Sequence, residues 1–226
     1  MRKAKKIKNM FSKEDFVLWR DLYSPEFVYK NELILTSSYA GMYQKIESEF
    51  LYSAIRAIKP LNIIEIGSYN GWTSYIILKA LLKNGFKSNL LSYDILNNSN
   101  NIDMEGDISR RLIVGDVKET IKEEEIFNCD FIFIDAEHTE EFSKWYCEEI
   151  LKNLKKDVII FIHDWEGHLG DLDGEFAGVI KYGIETGYVR RIFNVMNYVI
   201  ENNLSETEKV GYAVGDRSPT EICIKN

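Results

Sequence analysis

The sequence predicts an α/β fold in which a mostly parallel sheet is covered by helices on both faces. Three observations support this prediction. Short apolar runs alternate with helix-period segments between residues 61 and 163, a pattern typical of parallel strands joined by helices. The chain has 226 residues, of which 45% are apolar, and this length suits one large domain with its own core. Acids and glycines stand where the apolar runs end, at the sheet edge where such folds bind ligands.

The elements follow in a regular order along the chain. A helix over 45–58 ends before Pro60, because proline cannot continue a helix. Further helices are predicted over 72–83, 117–123, 139–153 and 175–186, and a longer one over 188–203. Strands are predicted at 61–66, 89–94, 111–115, 130–135, 157–163, 209–214 and 220–225. Together they give a Rossmann-like, doubly wound, mostly parallel seven-stranded sheet with an antiparallel C-terminal strand.

The chain is predicted to divide into an N-terminal extension, residues 1–44, and the main domain, residues 45–226. The extension contains a short helix after Ser12 and an irregular segment over 24–44. Its first thirteen residues carry six Lys or Arg and no acid. We interpret this segment as a solvated tail, with an arm for a partner or an anionic membrane as the alternative.

Composition excludes several classes of function. The net charge of −8 disfavours general nucleic-acid binding, because an acidic surface repels phosphates. The three cysteines lack the spacing of a metal site and fit a reducing, cytoplasmic environment. No stretch is long and apolar enough to cross a bilayer, and the basic start does not continue into the apolar region of a signal peptide.

The clearest motif is IIEIGSYNGWTS, residues 63–74. Glu65, Gly67 and Gly71 form the pattern E-x-G-x-x-x-G, which ends a strand, makes a tight turn and opens a helix. The dinucleotide pattern G-x-G-x-x-G is absent because Tyr69 replaces its second glycine. The motif therefore disfavours NAD and FAD.

The next strands end in similar residues. Asp94 ends the second strand, where an acid can accept both ribose hydroxyls of a nucleoside. Gly115 and Asp116 end the third strand, where a short loop can flank an adenine, and Asp135 ends the fourth. Any one of these positions fits an ordinary strand-to-helix turn. Four in succession favour a cofactor site.

A second group of residues suggests a reaction centre. The three histidines of the chain, His138, His163 and His168, fall within 31 residues, beside Asp135 and Asp164. Neighbouring strands bring Asp135 close to the His163-Asp164 pair, which makes a site for one divalent ion credible. The alternatives are that Asp135 only caps the following helix and that His163 is a core histidine.

The segments EIGSYNG, SYDI, IVGDV, FIDAEH and IIFIHD resemble, in that order, the class I S-adenosylmethionine (SAM)-dependent methyltransferases. They look most like the branch that includes macrolide-sugar O-methyltransferases and cephalosporin-hydroxylase-like proteins. The resemblance extends from Glu65 to Trp165. It implies that SAM is bound by Glu65, Gly67, Ser68, Gly71, Thr73, Asp94, Gly115, Asp116, Val117 and Asp135.

The resemblance also implies a catalytic role for Asp135 and His138. Asp135 would bind a divalent ion, Mg²⁺ or Mn²⁺, together with His163 and Asp164, and His138 would be the general base. The metal-dependent relatives carry two carboxylates where this chain has His163-Asp164. A histidine ligand suits Mn²⁺, Fe²⁺ or Zn²⁺ better than Mg²⁺, and the alternative is that no metal binds.

The function implied is methylation of a hydroxyl on a sugar or specialised metabolite by a cytoplasmic homodimer or larger homo-oligomer. No membrane or general nucleic-acid partner is expected. Two alternatives stand beside it, a metal-independent N- or peptide methyltransferase and a SAM-binding module without catalysis.

Overall fold

The fold is known from a computed structural model, which describes residues 45–98, 107–163, 174–194 and 220–226. The chain divides into two compact units, Met1–Thr120 and Ile121–Asn226. The N-terminal extension, most of the loops predicted over 96–109 and 166–174, and the strand predicted at 209–214 lie outside the described residues.

Unit 1 contains three parallel strands and the helices that join them. Helix α1 is Lys45–Ile58, β1 is Asn62–Ile66, α2 is Trp72–Asn84, β2 is Ser88–Asp94, β3 is Ile108–Val114 and α3 is Val117–Thr120. Strand β2 lies between β1 and β3 and pairs in parallel with both. Helix α1 buries the predicted apolar residues Phe50, Leu51 and Ile55 completely. Burial of this stripe holds the helix in place.

Unit 2 contains the remaining four strands. Its elements are α4 at Glu123–Asn128, β4 at Phe131–Ile134, α5 at Glu140–Trp145, β5 at Ile159–Ile162, α6 at Glu175–Gly178, β6 at Val189–Asn194 and β7 at Glu221–Lys225. Helix α5 continues as a π-helix, Tyr146–Ile150, and a 3₁₀ turn, Leu151–Asn153. Helix α6 continues as a π-helix, Val179–Ile184. Strands β4 and β5 are parallel, whereas β7 is antiparallel to both β5 and β6.

The seven strands form one sheet in the order β3-β2-β1-β4-β5-β7-β6. This confirms the predicted α/β, mostly parallel, seven-stranded sheet with an antiparallel C-terminal strand. In the described part of the chain, no helix has the length and apolar character needed to cross a membrane.

The helix predicted over 188–203 is wrong at its start, because residues 189–194 form β6. The buried residues Val189 and Ile192 are three apart, a spacing that also fits a helix. The pairing of β6 with β7 shifts register between Arg191 and Phe193. Such a bulge adds one residue to the strand, so two inward side chains can stand three apart instead of two.

Candidate functional site

The glycine-rich turn after β1 has the backbone that its sequence requires. Gly67 and Gly71 have φ values of 84° and 86°, a region that glycine adopts without steric cost. The Gly71 N–H donates to the Ser68 carbonyl at 2.6 Å, and the Gly67 N–H donates to the Tyr93 carbonyl at 2.9 Å. The turn is therefore closed on itself and tied to the end of β2.

The carboxylate of Asp94 holds this turn from the next strand. Its Oδ2 accepts the backbone N–H groups of Ser68 at 2.8 Å and Tyr69 at 2.6 Å. Its Oδ1 accepts the N–H of Leu96 at 2.8 Å. The structure thus brings Asp94 and the glycine turn together, as the sequence predicted.

Glu65 lies beneath the turn and is completely buried. Its carboxylate accepts hydrogen bonds from the hydroxyls of Thr73 at 2.6 Å, Ser92 at 2.6 Å and Ser74. Burial raises the pKa of Glu65, and these hydroxyl donors oppose that increase. Glu65 and Thr73, both predicted to bind the cofactor, therefore join β1 to the first turn of α2 through their own hydrogen bond.

The third strand ends close to the second. The Gly115 N–H donates to the Asp94 carbonyl at 2.9 Å. Asp116 is exposed, and its Oδ1 accepts the Lys118 N–H at 2.8 Å, which caps α3. Val117 is buried. The predicted adenine-flanking residues thus lie at the end of β3, next to Asp94.

In unit 2, three residues of the predicted reaction centre, Asp135, His138 and His163, lie close together. Asp135 follows β4, and His163 follows β5 with 3% of its surface exposed. His163 Nδ1 lies 3.1 Å from Asp135 Oδ1. His138 Nε2 lies 3.9 Å from the same oxygen, beyond hydrogen-bonding distance. The side chain of His138 is 33% exposed, so solvent or a small molecule can reach it.

Residues 64–165 match the family model of a methyltransferase domain. These residues form a SAM-dependent methyltransferase domain.

Solved structures share the fold of this methyltransferase. An O-methyltransferase from Bacillus cereus, in complex with S-adenosylhomocysteine, is 14% identical; the match covers 89% of this chain and 96% of that one, with a TM-score of 0.56. TomG, an O-methyltransferase from Streptomyces achromogenes involved in tomaymycin synthesis and solved with SAM, is 12% identical; the match covers 80% and 79%, with a TM-score of 0.50. No curated protein matches the methyltransferase in sequence. At these identities the likeness establishes the fold.

Sequence reasoning missed two residues of the cluster, Glu175 and Tyr146. Glu175 Oε2 lies 2.8 Å from His138 Nδ1, and the Tyr146 hydroxyl donates to Glu175 Oε1 at 2.7 Å. Glu175 looks in sequence like an ordinary acid in the first turn of a helix, and Tyr146 looks like a core aromatic. Burial raises the pKa of Glu175, and its hydrogen bonds to His138 and Tyr146 oppose that increase.

The described residues of the methyltransferase do not by themselves form a metal centre. Among them, no group of three or more His, Cys, Asp and Glu side chains has an arrangement that could hold an ion. Asp135 Oδ1 and His163 Nδ1 lie within hydrogen-bonding distance of each other. Asp164, the third predicted ligand, and His168 lie outside the described residues.

Proposed function

We propose that this methyltransferase transfers the methyl group of SAM to a hydroxyl group of a small molecule, a sugar or a specialised metabolite. The observation that carries the proposal is the reachable imidazole of His138, whose Nδ1 lies 2.8 Å from a buried carboxylate, that of Glu175. An alcohol is a weak nucleophile while it keeps its proton, so its methylation benefits from a positioned base. The O-methyltransferases from Bacillus cereus and Streptomyces achromogenes, which have the same fold, support an oxygen acceptor.

The SAM site is proposed in unit 1. The glycine turn lacks side chains at Gly67 and Gly71, which leaves room for a ligand to approach the backbone. The carboxylate of Asp94 fixes that turn and is the group proposed to bind the ribose. Glu65, Ser68 and Thr73 support the methionine side. Gly115, Asp116 and Val117 border the adenine. Asp135, which the sequence also predicts to bind SAM, stays a prediction.

SAM supplies a methyl group on a positively charged sulfur. The protein aligns the acceptor oxygen with that carbon. Such alignment can lower the activation barrier by about 7–11 kcal/mol. His138 Nε2 accepts the hydroxyl proton as the new C–O bond forms and the C–S bond breaks, with its electron pair leaving on sulfur. Such proton transfer contributes roughly 10²–10⁴-fold to the rate.

Two measurements test this proposal. Calorimetry with SAM and with S-adenosylhomocysteine should detect binding at one site per chain. Release of S-adenosylhomocysteine should then be assayed with a panel of hexoses, phenols, catechols and glycosides.

We expect His138→Gln to lower kcat by about 10²–10⁴-fold while SAM binding is retained. Glu137→Gln, a neighbouring exposed acid, should keep the wild-type rate. Wild-type turnover in His138→Gln, or an equal loss of SAM affinity, would contradict the role of His138.

The divalent ion at Asp135, His163 and Asp164 stays a prediction. Dialysis against EDTA tests it directly. Loss of turnover that Mn²⁺ or Mg²⁺ restores would support the ion site. Full turnover after chelation would support the metal-independent alternative. The cytoplasmic location and the homo-oligomeric state also stay predictions, and light scattering tests the second.

A further inference from the structure

We propose that Glu175, supported by Tyr146, is a positioning residue that fixes both the orientation and the tautomer of His138. The inference rests on the proposed role of His138 as the base and extends it to two residues whose sequence context gave no sign of function.

The contacts that carry this proposal are short and buried. Glu175 is 3% exposed and Tyr146 is fully buried. One carboxylate oxygen, Oε2, lies 2.8 Å from His138 Nδ1, and the other, Oε1, accepts the Tyr146 hydroxyl at 2.7 Å. Burial raises the pKa of Tyr146 well above its ordinary value, so its hydroxyl stays protonated and able to donate. Tyr146 therefore holds the Glu175 carboxylate through the oxygen that does not contact His138.

This arrangement selects one form of the imidazole. An ionised carboxylate can only accept hydrogen bonds. While Glu175 is ionised, the state that its hydrogen bonds with His138 and Tyr146 favour, the proton between Glu175 and His138 belongs to Nδ1, which leaves the lone pair on Nε2. That nitrogen is the one that must accept a proton from the acceptor hydroxyl. A second hydrogen-bonding group that sets the tautomer of a histidine is a general feature of histidine chemistry.

The backbone of unit 2 is built to bring Glu175 to this place. Gly174 has a φ of 86°, and a Cβ added there would lie 3.2 Å from the His138 carbonyl oxygen. A Cβ added at Gly178 would lie 1.8 Å from the Ser143 hydroxyl. Both glycines therefore allow α6 to approach the segment from His138 to Ser143 more closely than a larger residue would permit. Tyr146 begins the π-helix after α5, a rare conformation that is frequent at functional sites.

Nitrogen-15 NMR of the histidine rings tests the tautomer without requiring an acceptor. The chain has three histidines, and His138→Gln identifies the signals of His138. At a pH where the ring is neutral, the wild-type protein should show a protonated Nδ1 and an unprotonated Nε2. A wild-type His138 protonated at Nε2 would overturn the proposal, whatever the behaviour of any variant.

The matching variant removes both supporting groups together, Glu175→Leu with Tyr146→Phe. Removing both partners avoids leaving a buried hydroxyl without its acceptor. We expect a mixture of the two His138 tautomers, and an unchanged spectrum would overturn the proposal. With the most active acceptor of the panel, kcat should fall by about 10²-fold, the cost of a misplaced group, while the KM values for SAM and acceptor change less than about threefold. Glu140→Gln removes an exposed carboxylate that also contacts a tyrosine hydroxyl, 3.5 Å away, and should behave as wild type.

The kinetic outcomes separate the inference from the proposed function. If His138→Gln keeps its turnover, His138 is not the general base, and that part of the proposed function is wrong. If His138→Gln loses turnover but the double variant keeps both kcat and tautomer, only the role of Glu175 and Tyr146 fails.

Discussion

Glu65 and Glu175 are buried carboxylates that lie in different units and have different partners. Three hydroxyls donate to Glu65, whereas one hydroxyl and one imidazole contact Glu175. Burial raises the pKa of both groups, because removing a charge from water is costly. The hydrogen-bond donors to Glu65 are neutral hydroxyls, and the nearby charge of Arg110 also opposes the increase in its pKa, which suits a structural role. Glu175 contacts a side chain that reaches solvent, which suits a role in catalysis.

We predict that Glu65 makes the free energy of unfolding depend on pH. Its folded-state pKa is raised above the ordinary 4.5, so the folded state binds the proton more tightly than the unfolded state does. The stability linked to this group is therefore full below about pH 4.5 and is lost as the pH rises through the folded pKa. Urea unfolding of wild type and Glu65→Gln between pH 5 and 8 measures the effect.

The free energy of unfolding of Glu65→Gln should improve relative to wild type as the pH rises. The exposed acid Glu119 provides a control, and Glu119→Gln should show no such trend. A difference between Glu65→Gln and wild type that is constant with pH would contradict the role given to burial.

Among the elements, α2 has a positive-φ glycine at each end. Gly71 precedes it with a φ of 86°, and Gly85 follows it with a φ of 71°. The first belongs to the turn that Asp94 holds. The second ends the helix in the usual way, with its N–H donating to the carbonyls of Leu81 and Leu82. The two positions have nearly the same backbone conformation and differ in what surrounds them.

This pair gives an element-scale prediction. Gly71→Ala and Gly85→Ala should each cost about 1–2 kcal/mol of stability, because a side chain disfavours the left-handed conformation. A Cβ at Gly85 would meet no atom within 4 Å, so Gly85→Ala should retain SAM affinity. Only Gly71→Ala should weaken SAM binding, as measured by calorimetry. Equal SAM affinity in the two variants would remove the glycine turn from the proposed cofactor site.

For the whole molecule, the proposed SAM residues lie mostly in unit 1, whereas the proposed base and its supports lie in unit 2. A ligand that binds only the folded state stabilises it by about 2.7 kcal/mol at 100 times its Kd. S-adenosylhomocysteine should therefore raise the temperature of unfolding in a concentration-dependent way.

Hydrogen exchange locates that effect along the chain. With S-adenosylhomocysteine bound, we expect the largest protection in peptides that cover 67–73, 94–96 and 115–117. Peptides of β7, which contains no proposed cofactor residue, serve as the control region. Protection absent from the three segments, despite measurable binding, would place the cofactor elsewhere.

The first five strands and the residues at their ends were predictable from the sequence alone. Apolar runs and glycines act locally, so the turn from Gly67 to Gly71 and the positions of Asp94, Asp116 and Asp135 follow from the chain read in order. The proximity of Asp135 and His163 also followed, because adjacent parallel strands end at the same edge. The methyltransferase domain was recognisable from these same segments.

The pairing of side chains that are distant in sequence became visible only in the folded structure. The contact of Glu175 with His138 spans 37 residues and depends on how closely α6 approaches α5. The bulge in β6 depends on its pairing with β7, and no local pattern distinguishes its spacing from that of a helix. Glu65 is a buried anchor because three hydroxyls from two neighbouring elements meet it. Local conformational preference is encoded residue by residue, whereas these contacts exist only once distant segments are packed together.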